Sequence, residues 1–221
     1  MSAKLPVPYQ RAINQDFRSE SFAQLSSLKP QDVALFTERS LPECYTIVAV
    51  LPKNTQKVIM DFIHEAQEID SAQFFYSPDQ IHLTIIGNIP AKTPLDVIQK
   101  AVDTALLDKL SFILYGVGSN TLCSSVSAYP LFDLLQLRGV LRLAIGESGD
   151  VYNEHLSSYQ KMGWINYMRY LSPPSTKLLD FLKRSFDRYF CTFTVVRIDV
   201  VKTTSKILEK EKSELVFSRQ L

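Results

Sequence analysis

The feature that most constrains this chain is an order of elements that runs through it twice. An apolar, β-branched run, ECYTIVAVLP, ends at Pro52 and reads as a buried strand. Asn54 then caps a helix whose apolar stripe, Val58, Ile59, Phe62, Ile63, Ala66 and Ile69, recurs at the helical period. The next strand is QIHLTIIGNIP, where Ile81, Leu83 and Ile85 alternate with His82 and Thr84. Such alternation sends the two sets of side chains to opposite faces. Thr93 as cap and Pro94 at the first helical position open a second helix. Its stripe is Leu95, Ile98, Ala101, Val102, Ala105 and Leu106, and the strand LSFILYGVGS closes the round.

The order then recurs. TLCSSVSAYP is a strand, LFDLLQLRGVLRLAI an apolar helix and GWINYMRYL a strand. After the Pro173-Pro174 break, Ser175 or Thr176 caps the helix STKLLDFLKRSFDRYF. CTFTVVRIDVVKTT is a long strand and SELVFSRQL a short last one. The two rounds share almost no residues, so the repeat is one of architecture. The expected organisation is an extension over residues 1–41, with short helices at Gln10–Phe22 and Asp32–Glu38, followed by a single bilobal domain over 42–221. A doubly wound parallel sheet is the competing arrangement. It ranks second because no glycine-rich phosphate turn follows the first strand.

Charge and cysteine usage narrow the function classes. With 24 basic and 23 acidic residues, no global field draws the protein to nucleic acid or to anionic lipid. Cys44, Cys123 and Cys191 lie far apart in apolar runs, as buried free thiols of a reducing compartment do. The first residues lack the apolar core of a signal peptide, and no run approaches the ~18–20 apolar residues of a membrane span. A soluble, cytoplasmic monomer without membrane contact is expected. There is no carboxylate pair, Cys–His spacing or cluster of metal ligands, so neither a metal nor another cofactor is expected.

Imidazole chemistry has three candidates, His64, His82 and His155. His64 falls off its helix's apolar stripe and reads as a surface residue. A strand carrying H-x-T at His82 and Thr84, preceded by strand–helix and followed by helix–strand with LYGVG, resembles the first half of the 2H phosphoesterase superfamily. That superfamily includes the 2′-5′ RNA ligase-like and cyclic phosphodiesterase proteins. The resemblance covers about residues 42–221 and implies an α+β, bilobal 2H phosphoesterase-like fold. Two pseudo-symmetric βαβαβ lobes with antiparallel sheets would then flank a central cleft, each lobe supplying one H-x-[ST] strand.

The chemistry that the resemblance implies needs the motif twice. Opening a 2′,3′-cyclic phosphate takes one group to deprotonate water and another to protonate the leaving ribose oxygen. The hydroxyl two residues along each strand donates to a phosphate oxygen as charge builds there. His82 and Thr84 would be one catalytic half. In the second round, Trp164 takes the histidine place and Asn166 the hydroxyl place. Asn166 can still donate a hydrogen bond, whereas indole does not titrate in the useful range. Trp164 can stack on a base, a contact worth roughly 1–3 kcal/mol, or pack in the core. Arg169, further along that strand, can meet a phosphate or pair with a surface carboxylate. Tyr115 can approach a ligand or fill the core.

The alternative second catalytic pair is His155 and Ser157, in the literal match EHLSSYQ, whose polar surroundings read as a loop. Tyr167 is a less usual candidate for the missing acid. Three functions follow. One is a hydrolase acting on 2′,3′-cyclic or 2′-5′-linked nucleotides or RNA ends. Another is an inactive relative, a pseudoenzyme that binds nucleotide, RNA or a protein partner. The third is an α/β interaction protein without cleft chemistry.

Overall fold

The computed structural model describes residues 42–105, 110–119, 122–146, 162–204, 208 and 210–221. The expected extension over 1–41 lies outside them, as do Leu106, His155 and Ser157. The elements are β1 (Cys44–Val50), α1 (Lys53–Ile69), β2 (Phe74–Phe75), β3 (Leu83–Pro90), α2 (Leu95–Thr104), β4 (Ser111–Ser119) and β5 (Cys123–Pro130). They continue with α3 (Leu134–Ala144), β6 (Gly163–Arg169), α4 (Thr176–Arg184), β7 (Tyr189–Thr194), β8 (Arg197–Thr203) and β9 (Ser213–Gln220).

The strands form two sheets, in the orders β3-β1-β8-β9 and β2-β6-β5-β4-β7. Among the described residues every pairing is antiparallel, which rules out the doubly wound parallel arrangement. β1 lies between β3 and β8, and β5 lies between β6 and β4. A pseudo-two-fold therefore relates β1 to β5, β3 to β6 and β8 to β4. Strands are exchanged between the rounds: β2 and β4 join the second round's sheet, and β8 and β9 the first round's.

The helices cover the outer faces. On α1, Phe62 stacks on Phe181 of α4 at 5.0 Å between ring centres and meets Tyr167 and Phe190 edge-on, so α1 and α4 back the five-stranded sheet. α2 and α3 pack together behind the four-stranded sheet, where the Arg219 guanidinium of β9 donates to the Val102 and Ala105 carbonyls. Ile47, Ala49, Leu83, Ile85, Val126 and Ile165 point into this core. A smaller cluster of Ile113, Tyr115, Tyr129 and Met162, with Trp164 packed against it, is separate. Gly116 takes a φ of 75° at the register shift between Leu114 and Val117, a backbone conformation suited to glycine in a bulge.

Several expectations need correction. α1 begins two residues earlier than expected, with Pro52 at the cap position, and Asn54 sits inside the first turn. Pro94 takes the cap position of α2, so Thr93 is not its cap. Ser175 caps α4 by accepting from the Leu178 amide, and Asp133 caps α3 through the Gln136 amide. The expected long strand from Cys191 is two strands in different sheets, separated at Val195 and Val196, and the first begins at Tyr189. Cys44 is buried as expected, but Cys123 and Cys191 are half-buried; all are free thiols.

Candidate functional site

β3, an edge strand of the four-stranded sheet, meets β6 of the five-stranded sheet at a seam. β2 covers β6 only at Met168 and Arg169, which leaves the start of β6 beside β3. The two strands share a burial pattern. Leu83 and Ile85 are buried, with Thr84 between them less so; Ile165 and Tyr167 are buried, with Trp164 and Asn166 less so. On both strands the expected site residues thus face away from the helix-covered core.

His82 immediately precedes β3. Its Nδ1 lies 2.8 Å from the Gln80 carbonyl oxygen, which can only accept, so Nδ1 carries the proton. In the neutral ring, Nε2 therefore holds the lone pair. Burial pushes the imidazole pKa below its ordinary 6.5; the Gln80 hydrogen bond opposes that shift, and the positive charge of Arg169 adds to it. The ring is neutral at physiological pH, ready to accept a proton rather than give one. His64 is exposed on α1, as expected.

Arg169 ends β6 and is buried. Its Nε donates to the Tyr76 hydroxyl at 2.8 Å, and its guanidinium lies 5.8 Å from that ring's centre. Burial and the neighbouring guanidinium act in opposite directions on Tyr76, and burial prevails, raising the phenol's pKa. Tyr76 thus stays a neutral hydrogen-bond acceptor. Asn166 accepts at Oδ1 from the Cys123 thiol, at 3.6 Å. Behind them, Tyr170 shares hydrogen bonds with Ser119 and Ser124 at 2.8 and 2.7 Å, and burial lifts its pKa to about 12.

The positive charge of Arg169 reaches His82 electrostatically, and Thr84 lies on one side of the seam, Trp164 and Asn166 on the other. The structure removes Tyr167 from acid–base candidacy: that ring is fully buried against Phe62, and desolvation holds its phenol well above the ordinary value. Tyr115 is a core residue whose hydroxyl donates to Asp187 at 3.2 Å. Sequence reasoning missed Tyr76 and Cys123. Neither has a local signal, because each reaches the site through pairing with a distant strand. Among the described residues, no group of His, Cys, Asp or Glu could hold a metal ion, and no helix is long and apolar enough to cross a membrane.

No family model and no curated protein matches the chain. Solved structures do. TT0787 of Thermus thermophilus superposes with a TM-score of 0.57 at 15% identity, over 80% of this chain and 97% of that one. A protein described as a phosphoesterase gives 0.54 at 14% identity, over 81% and 98%. Escherichia coli LigT complexed with 3′-AMP gives 0.51 at 15% identity, over 82% and 99%. The chain has a LigT-like 2H phosphoesterase fold. The pseudo-two-fold relates β3, which His82 immediately precedes and which carries Thr84, to β6, which carries Trp164 and Asn166.

Proposed function

We propose that this protein is a 2H phosphoesterase superfamily member that engages a nucleotide or RNA end through its phosphate, with His82 as its single intact acid–base group. The observation that carries the reading is the ring state of His82. Nδ1 is held by Gln80, Nε2 bears the lone pair, and the charge of the buried Arg169 acts on the ring. The 3′-AMP complex of a protein with the same fold supports a nucleotide as the ligand.

For a 2′,3′-cyclic phosphate, water attacks phosphorus and passes its proton to Nε2 of His82. Arg169 and the Thr84 hydroxyl meet the negative charge that builds on the phosphoryl oxygens. One ribose P–O bond breaks, leaving a phosphomonoester, and the departing oxygen takes its proton from solvent. No second imidazole at Trp164 supplies that proton, a loss of about 10²–10⁴-fold in rate.

Wild type and His82→Ala are incubated with 2′,3′-cyclic AMP and with a short RNA ending in a cyclic phosphate. Slow product from wild type alone is expected. Equal product from both removes His82 from the mechanism. The presence of Trp164 at the histidine place favours a second reading, binding without turnover. Saturable quenching of this one tryptophan by 3′-AMP, with no product from cyclic substrates, supports that reading. Neither quenching nor product overturns both.

A further inference from the structure

The two half-sites stand on different sheets, so something must fix their separation. The side chain of Arg138, on α3, reaches both strands. It is buried, and its guanidinium is spread over three backbone carbonyls. Nε donates to Ile85 at 2.9 Å, Nη2 to Thr84 at 3.3 Å and Nη1 to Met162 at 3.1 Å. The first two acceptors belong to β3, and the third precedes the first residue of β6. One turn on, Arg142 donates to the Gly87 carbonyl of β3 at 3.4 Å.

These contacts have a physical cause. β3 is the edge of its sheet, and a buried edge needs donors for its outward carbonyls. A guanidinium presents five N–H groups in a rigid, planar fork, so one side chain can hold acceptors on two strands at a fixed spacing. Gly163 supplies the close approach from the other side of the seam, packed against Leu83. The consequence concerns the site. Thr84 is itself an acceptor of the fork; His82 lies two residues before it, and Trp164 two residues after Met162.

We infer that Arg138 is a positioning residue, which sets the distance and orientation of the His82–Thr84 strand relative to the Trp164–Asn166 strand. It touches no substrate and acts through the backbone of both halves. A basic residue set among the buried Leu134, Leu137 and Leu141 of α3 is its sequence signature. The inference rests on the proposed function for its ligand measurement and stands without it for its structural one.

The test uses the full chain with Arg138→Lys and Arg138→Gln. Without ligand, the pH titration of the His82 ring is followed by NMR, and Trp164 emission reports on β6. With ligand, the Kd for 3′-AMP is read from Trp164 quenching, and thermal melting shows whether each variant is folded. Lysine keeps the charge and lacks the fork, so Arg138→Lys should fold, shift both ligand-free signals and raise the Kd at least roughly tenfold. A folded Arg138→Lys with unchanged His82 titration, Trp164 emission and Kd overturns the inference. If Arg138→Gln fails to fold, the lysine variant decides. Shifted ligand-free signals in a protein that never binds nucleotide uphold the positioning role and sink the assigned ligand instead.

Discussion

Gly163 of β6 lies so close to Leu83 of β3 that a β-carbon at position 163 would stand 3.1 Å from Leu83 Cδ1. Leu83 is fully buried and has little room to give way. Gly163→Ala should therefore destabilise the fold by about 1–3 kcal/mol, the usual range for overpacking. Urea unfolding measures it, and an unchanged midpoint would show that the seam is looser than this contact implies.

His82 should make both stability and activity depend on pH. Its pKa in the folded protein lies below 6.5, so between the folded value and 6.5 the unfolded chain binds more protons. Its contribution is complete above about pH 6.5 and is lost as pH falls through the folded pKa. His82→Gln should flatten that part of the stability profile. Turnover that uses Nε2 as a base should rise with pH through the same folded pKa and level off near neutrality. Rates that fall over that interval would instead make His82 the acid.

Tyr76 should matter out of proportion to its distance from any ligand. Its hydroxyl accepts from the buried Arg169 Nε, and hydrogen bonds to charged groups are worth about 1.5–3 kcal/mol. Tyr76→Phe should lose stability of that order and weaken 3′-AMP binding. Stability and Trp164 quenching equal to wild type would show that Arg169 does not depend on this phenol.

Arg188 and Glu65 should respond unequally to alanine. The pair is bidentate, at 2.6 and 2.8 Å, and both side chains are more than a third exposed, so solvent holds its worth below about 1 kcal/mol. The Arg188 guanidinium also lies 5.0 Å from the centre of Phe62 and 5.5 Å from that of Phe190. Arg188→Ala should thus destabilise more than Glu65→Ala, by about 0.5–1 kcal/mol. Equal losses in urea unfolding would show that the rings contribute nothing.

Much of this fold was legible because local period and burial agree. The alternation of Leu83 and Ile85 with Thr84 assigned faces that β3 keeps, whereas Tyr167, read as a candidate acid, belongs to the buried face of β6. The division between β7 and β8 was not legible, since Val195 and Val196 are as apolar as the strands they separate. Only pairing partners distinguish them: β4 for one, β1 and β9 for the other. Two cap positions went to prolines rather than to Asn54 and Thr93, because a proline already holds the extended entry to the helix. The site was half legible. His82 and Thr84 announce themselves within three residues, whereas the setting of Arg169 depends on Tyr76, 93 positions earlier in the chain.

The exchange of strands between the two rounds also bears on how the protein can be cut. β8 comes late in the chain yet occupies the interior of the sheet that carries His82, between β1 and β9. A chain shortened before β8 would lose a central plank rather than a fringe, leaving β1 with one open side. Dividing the chain between β4 and β5 would give two fragments, each holding two strands that belong in the other's sheet: β2 and β4 in the first, β8 and β9 in the second. Such fragments should be insoluble alone and complement each other when mixed. The two halves interlock as the partners of a strand-swapped dimer do, here joined in one polypeptide.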